Sequence, residues 1–289
     1  MDMKIKIYSH FFAILFVGIN ALCFSSQHDN VRESLEDLLE NYAQGKISLE
    51  DALNSIRLLN CRAVVEMAKL DINRAYRIGI PEAILAEGKD KKSLIEIALA
   101  HLDETGSVIV TRVSEDQFKA FKKLKLPEGC LLDHNSIART VVLQKGEIKE
   151  ETAKVGILAA GTADIPVAEE AKVVATQMGC KVISEYDVGV AGIHRLFPSL
   201  EKMKGIDSLV VAAGREGTLP AIVAGLVDAP VIGLPVSTGY GFGGNGLAAL
   251  LSMLQSCSVL TVVNIDAGFV AGAYAAKIAL HRANLQKQF

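Results

Sequence analysis

Five glycine-bearing stretches in the C-terminal half hold the side chains best suited to chemistry. The first is Gly161-Thr162-Ala163-Asp164-Ile165-Pro166. Its glycine lets the backbone approach a ligand, Thr162 offers a hydroxyl, Asp164 can accept from a ribose hydroxyl, and Pro166 suits a first helical turn. A tight turn followed by a helix cap accounts for the same residues equally well. The second, Asp187 to Arg195 with Gly189 and Gly192, sets His194 beside Arg195 at a helix start. There the helix dipole favours a neutral imidazole, and the pair can hold an anion or move a proton. The third, Gly214-Arg215-Glu216-Gly217, offers Glu216 as a helix cap, the commoner fate, or as a general base. The fourth, Pro235 to Gly246, holds five glycines, Gly241 among them, around Tyr240, Phe242 and Asn245. The fifth is Asn264-Ile265-Asp266-Ala267-Gly268.

These stretches need a scaffold that gathers them. The apolar runs Val155–Ala160, Val182–Tyr186, Leu209–Ala213, Val231–Val236 and Val259–Ile265 read as strands. Helices are expected near 165–178, 193–203, 217–227, 244–256 and 267–285. Continuously apolar strands separated by helices imply a parallel sheet covered on both faces, a doubly wound α/β domain over 154–285. In such a sheet ligands bind beyond the carboxyl ends of the strands, where all five stretches lie. A dinucleotide fold competes weakly, because Gly161-Thr-Ala-Asp-Ile-Pro lacks G-x-G-x-x-G. The alternation alone licenses a phosphorylated small molecule as ligand.

Residues 31–150 read as a small N-terminal α/β domain. Leu35, Leu38, Leu39 and Tyr42 recur at helical spacing, Gly45 closes that run, and Ser48 caps a second short helix carrying Leu49, Ala52, Ile56 and Leu59. Asp71 to Glu82 reads as a charged connection, Lys92 to Leu102 as a helix, and Ser107–Val113 and Arg139–Gln144 as strands. Lys145 to Ala153, polar and without apolar periodicity, is the expected linker. Residues 1–30 stand apart: Lys4 and Lys6 precede an apolar run, Phe11 to Phe24, which resembles a signal peptide. A cytoplasmic location is the expectation, and that run leaves organellar or secretory targeting open.

The chain has 289 residues, half of them apolar, enough for two cores, and its 30 basic against 33 acidic residues leave no basic stripe for nucleic acid. Cys23, Cys61, Cys130, Cys180 and Cys257 lie far apart with no metal-ligand spacing, which suits a reducing compartment. No metal site is expected from the sequence. By itself Cys257 reads as a packed small hydrophobe at a helix end.

Gly161-Thr162-Ala163-Asp164 and Gly192-Ile193-His194-Arg195 resemble the two turn motifs of the aminoimidazole ribonucleotide carboxylase (PurE) superfamily. The match is closer to the LarB family of nickel-pincer cofactor synthesis, which has a PurE-like C-terminal domain of flavodoxin-like, three-layer architecture. Ala160 to Ala171, Tyr186 to Arg195, Ser256-Cys257 and Val263-Asn264-Ile265-Asp266 carry that match. So do the N-terminal hairpin, Asp71-x-x-Arg74-x-x-Arg77-x-Gly79-x-Pro81-Glu82 and Gly88-Lys89. The resemblance spans about residues 31–282 and departs at the apolar start, at Arg215 and at Phe242–Gly246.

The resemblance implies carboxylation of the pyridinium ring of nicotinic acid adenine dinucleotide, followed by phosphoanhydride hydrolysis that releases AMP. A pyridinium carbon is electrophilic, so a thiolate must first add to the ring; the next carbon can then capture carbon dioxide. The resemblance makes Cys257 that nucleophile and Glu216 the base. His194 joins them as a third catalytic group. Gly161, Thr162, Asp164, Asp187, Arg195, Gly214, Arg215, Gly217, Tyr240, Gly241, Asn264 and Asp266 are the expected substrate contacts. Carbon dioxide is the co-substrate and no organic cofactor is implied. Magnesium would suit the hydrolysis by neutralising charge, although no ligand cluster is visible. Because Cys257 precedes the fifth strand, it belongs at the amino edge of the sheet. The family's habit then implies a homo-oligomer, up to an octamer, with shared active sites. Two alternatives remain open: a purine enzyme moving carboxylate on aminoimidazole ribonucleotide, and a nucleotide-binding protein without catalysis.

Overall fold

The computed structural model describes residues 38–53, 62–65, 68–71, 74–146, 148 and 152–286. The apolar run Phe11–Phe24, Cys23 and Cys61 lie outside them. The chain divides into two units, Met1–Cys61 and Arg62–Phe289. In the first, residues 38–43 and 49–53 are helical. Gly45 closes the first helix at φ +69°, and the Ser48 hydroxyl accepts from the Asp51 amide at 3.1 Å, capping the second.

The second unit opens with a hairpin of β1 (Arg62–Val65) and β2 (Ala68–Leu70), and then α1 (Arg74–Ile78). The Asp71–Glu82 segment, expected as a charged connection, contains a helical turn. Asp71 explains it: its carbonyl accepts the Arg74 amide at 3.0 Å, its carboxylate pairs with Arg77, and Gly79 ends the turn at φ +72°.

A four-stranded mixed sheet follows, ordered β3 (Ala83–Leu85), β4 (Ser107–Thr111), β6 (Thr140–Lys145), β5 (Cys130–Asn135). Helix α2 (Lys91–Thr105) covers one face, capped by the Asp90 carboxylate at its start and by Gly106 in left-handed backbone at its end. Leu94, Ala98 and Leu102 of α2 meet Val108, Val110, Val141 and Leu143, alternate residues of two neighbouring strands. Helix α3 (Glu115–Phe121), with a Ser114–Gln117 capping box, adds Phe121 to that core.

The C-terminal sheet is five-stranded and wholly parallel, in the order β11-β10-β9-β7-β8. Its strands are β7 (Lys154–Ala159), β8 (Lys181–Glu185), β9 (Ser208–Ala213), β10 (Val231–Pro235) and β11 (Thr261–Val262). This is the flavodoxin-like doubly wound order, whose strand order reverses beside β7. Helices α4 (Ile165–Gln177) and α8 (Gly268–Gln286) cover one face through a seam of alanines, Ala168, Ala171 and Ala175 against Ala271, Ala275 and Ala279. On the other face lie α5 (Leu196–Lys202), α6 (Leu219–Ala224) and α7 (Leu247–Leu254), which bury Leu196, Leu219, Val223, Ala249 and Met253.

Three of the boundaries that differ from the sequence expectation have a visible cause. The fifth strand is two residues long because it is an edge strand paired only with β10, through Ile232 and Gly233. The expected helix 193–203 divides into a tight 3-10 segment, Val190–Arg195, and α5, because Gly192 breaks the helical backbone at φ −128°. Ala153, assigned to the linker, is fully buried in the C-terminal core, where its carbonyl accepts the Lys181 amide at 2.9 Å.

Candidate functional site

The connections leaving β7 and β9 part at the strand-order reversal, and one side chain ties them together. Asp164 is 5% exposed; its Oδ2 accepts the Gly161 amide at 2.9 Å, and its Oδ1 accepts the Gly214 amide at 3.1 Å and the Thr238 hydroxyl at 2.6 Å. The exits of β7, β9 and β10 are thereby clamped on one carboxylate. Asp164, expected as a ribose acceptor, spends its oxygens on the protein itself. Thr238, which sequence reasoning passed over, completes the clamp. Its signal was faint: a threonine among the glycines of the Pro235–Gly246 loop.

Two glycines allow this close assembly. A Cβ on Gly214 would stand 1.9 Å from the Thr238 hydroxyl and 2.7 Å from its carbonyl oxygen, and one on Gly189 would stand 2.7 Å from the Ala160 carbonyl oxygen. The exits of β8 and β9 can therefore lie against β7 and β10 only with hydrogen at those positions.

Around the clamp the remaining site residues form pairs. Arg215, in left-handed backbone at φ +51°, donates its amide to the Thr238 carbonyl at 2.9 Å. Its guanidinium lies 4.9 Å from the centre of the Tyr240 ring, with Nη2 3.3 Å from the Tyr240 hydroxyl. Arg195 forms an ion pair with Asp187 on the exposed side of the second exit. Asp266 accepts the Ser237 amide on Oδ1 at 2.8 Å, which fixes the start of the glycine loop to the fifth exit. Asn264 turns its Oδ1 to the Ile265 amide at 2.9 Å. Thr162, His194, Glu216 and Gly241 are exposed at their exits, and Gly217 is buried against Ala249 of α7 at φ +64°. Tyr240 and Phe242 stand out from the loop, 81% and 108% exposed.

The structure does not bring Cys257 to this group. It follows α7 and precedes β11, at the amino edge of the sheet, where its side chain is exposed. Cys180 is buried and Cys130 half-buried, both remote from the exits in the fold.

Asp164, Asp187 and Asp266 are each engaged by protein donors, and among the described residues no group of three or more His, Cys, Asp or Glu side chains is arranged to hold a metal ion. Among the described residues, no helix is long and apolar enough to cross a membrane.

Behind the exits, two adjacent glutamates of α4 face the N-terminal sheet. Burial alone would raise the pKa of Glu169, but hydrogen bonds from Tyr186, Lys172 and Asn135 outweigh it and hold the carboxyl below its ordinary value. Glu170 is pushed the other way, up to about 7, mainly by burial, although the charges of Arg112 and Arg139 and the Phe269 amide oppose the rise.

Comparison with known proteins follows the same division of the chain. The family described as AIR carboxylase matches residues 154–289, and the LarB/PurE-like N-terminal domain matches residues 63–145. An uncharacterized protein of Methanocaldococcus jannaschii is 41% identical over 252 residues, covering 86% of this chain and 97% of that protein. N5-carboxyaminoimidazole ribonucleotide mutases match less of the chain. The one from Pyrococcus horikoshii is 30% identical over 41% of this chain and 66% of its own length. That from M. jannaschii is 33% identical over 46% and 83%.

Proposed function

Since the chain belongs to the LarB/PurE-like family, we propose that it carboxylates the pyridinium ring of nicotinic acid adenine dinucleotide and hydrolyses the phosphoanhydride, releasing AMP. The observation that carries this reading is the matched N-terminal domain at residues 63–145. The Pyrococcus horikoshii and M. jannaschii mutases align with less than half of this chain, so a purine mutase leaves that domain without a role.

The Cys257 thiolate adds to a ring carbon beside the pyridinium nitrogen, and the ring's electron pair becomes an enamine. The adjacent carbon attacks carbon dioxide and forms a new carbon–carbon bond. Glu216 removes the proton from that carbon, and the electrons of the C–H bond restore aromaticity as the carbon–sulfur bond breaks and the thiolate leaves. No oxidant or reductant is consumed. The exposed Glu216 and His194 suit proton transfer to a bound ligand. Arg195, oriented by Asp187, and Arg215, oriented by Tyr240, supply the positive charge that a diphosphate and a nicotinate carboxylate require.

Within one subunit Cys257 and Glu216 occupy opposite edges of the sheet, so the reaction needs a second copy. The surface beside Cys257 favours one. Leu247, Leu251 and Leu254 of α7 are 49%, 51% and 61% exposed, and Val259 is 94% exposed. A neighbouring chain seated on this apolar strip would carry its own exits to Cys257. The homo-oligomer thus completes the site.

The test is incubation of the full chain with nicotinic acid adenine dinucleotide and isotopically labelled bicarbonate, read by mass spectrometry. One carboxylate gained together with free AMP is the expected product. Turnover of aminoimidazole ribonucleotide that survives Cys257→Ser would replace this reading with the purine one. Binding without either product would make the protein a nucleotide carrier.

A further inference from the structure

We propose that Arg112, a residue of the N-terminal sheet, is a positioning residue for the substrate loop Ser237–Gly246 of the C-terminal domain. The proposal rests on the reading that the strand exits bind substrate. Arg112 follows the last residue of β4, and its Nη2 donates to the Asp266 carbonyl at 3.1 Å. Asp266 in turn holds the entry to the loop twice. Its amide donates to the Pro235 carbonyl at 2.9 Å, and its Oδ1 accepts the Ser237 amide at 2.8 Å. A guanidinium from one sheet therefore fixes the residue that anchors the loop of the other.

The backbone at this junction is unusual. Arg112, Arg139 and Asp266 have φ values of +55°, +53° and +54°, three non-glycine residues in left-handed backbone. Such conformations persist where the surroundings over-determine them, and they gather at functional positions. Here the surroundings are visible. The Arg139 guanidinium donates from Nε to the Val113 carbonyl and from Nη2 to the Arg112 carbonyl, each at 3.3 Å. The Val113 amide returns a bond to the Arg139 carbonyl at 2.8 Å. Arg139 thus braces the chain at Arg112, and Arg112 reaches across. Its other partner, Glu87 at 3.4 Å, is a largely exposed pair of small energetic weight, so the interdomain bond is the one that carries consequence.

A role as interdomain glue and a role in loop positioning predict different readouts. Peptide-resolved amide hydrogen exchange on the full-length Arg112→Met variant separates them. Losing a hydrogen bond from a charged donor should speed exchange across Ser237–Gly246 about tenfold, with exchange in β7 and β9 unchanged. Arg112→Lys, which keeps a donor, should recover part of that protection. Should Arg112→Met not give folded protein, Arg112→Lys against the parent shows the same sign at smaller amplitude. Exchange in the loop within about twofold of the parent in a folded Arg112→Met protein overturns the proposal. Where the parent turns over nicotinic acid adenine dinucleotide, the variant should raise KM about tenfold and leave kcat nearly unchanged, the pattern of lost uniform binding. A parent without turnover defeats the proposed reaction, while the exchange result still judges Arg112 on its own.

Discussion

Asp164, read from the sequence as a ligand contact, accepts from two backbone amides and a hydroxyl of the protein itself. A buried carboxylate at a strand exit, followed by proline in the first helical turn, invites a ligand reading. Two of its three partners, Gly214 and Thr238, lie 50 and 74 residues further along the chain, and only Gly161 is close in sequence. Sequence spacing carries no trace of that convergence; only the strand order supplies it. With three acceptances on two oxygens, replacement of either oxygen by a donor faces N–H or O–H groups that have no other partner. We predict that Asp164→Asn lowers stability by about 2 kcal/mol and Asp164→Ala by about 3 kcal/mol, as measured by urea denaturation. A loss below about 0.5 kcal/mol for both would mean that water replaces the clamp. Legibility was better at Cys257, whose placement before the fifth strand already fixed it to the amino edge.

Elements were legible where both faces of a strand are buried. The three central strands of the parallel sheet, β7, β9 and β10, stood out because each is apolar almost throughout. The short strands β3 and β5 did not. Ala83–Leu85 has three residues, and Cys130–Asn135 is an edge strand whose exposed positions carry Leu131 and Asp133, so no clean alternation marks it. Helix seams were invisible for another reason, since they depend on pairs distant in sequence. Gly272 of α8 crosses α4 so closely that a Cβ would stand 2.3 Å from the Ala171 carbonyl oxygen. In an isolated helix Gly272→Ala would gain about 1 kcal/mol. Against a backbone atom that cannot move without shifting a helix, overpacking costs about 1–3 kcal/mol, so the net change should be destabilising. A rise in the urea midpoint would show that the seam can open.

The junction between α4 and α8 carries a second prediction at this scale. Burial raises the Glu170 carboxyl from 4.5 to about 7, helped by the charge of Asp266 and opposed by those of Arg112 and Arg139 and by the Phe269 amide. The folded chain therefore binds this proton more tightly than the unfolded chain. The stability that it contributes is complete below pH 4.5 and is lost as pH rises to about 7. At 1.36 kcal/mol per pH unit the difference is on the order of 3 kcal/mol. Glu170→Gln, which carries no proton to lose, should flatten the stability profile between pH 5 and 8 and leave the variant more stable than the parent at pH 8. Parallel profiles for parent and variant would place the Glu170 carboxyl in its ordinary range.

At the scale of the whole molecule, polar contacts run between the mixed and the parallel sheet. Asn135 reaches Glu169, Gln177 reaches Gln144, and Arg112 reaches Asp266. Apolar surface remains exposed elsewhere, and the leucines of α7 beside Cys257 are its plainest instance. A monomer would leave both the strip exposed and the thiol far from Glu216, so assembly and catalysis should fail together. Leu251→Glu puts a charge in the middle of the strip without touching the buried Ala249 and Met253 of the same helix. We predict a fall in particle mass by light scattering, an unchanged circular dichroism spectrum, and loss of carboxylation by about a hundredfold or more, the scale on which removal of a positioned catalytic group acts. The sharper outcome lies in complementation. Mixing Cys257→Ser with Glu216→Gln chains should restore part of the activity, because some assembled sites would draw an intact thiol from one chain and an intact carboxylate from another. Mixtures as inactive as their components would place both groups in the same subunit and end the shared-site reading.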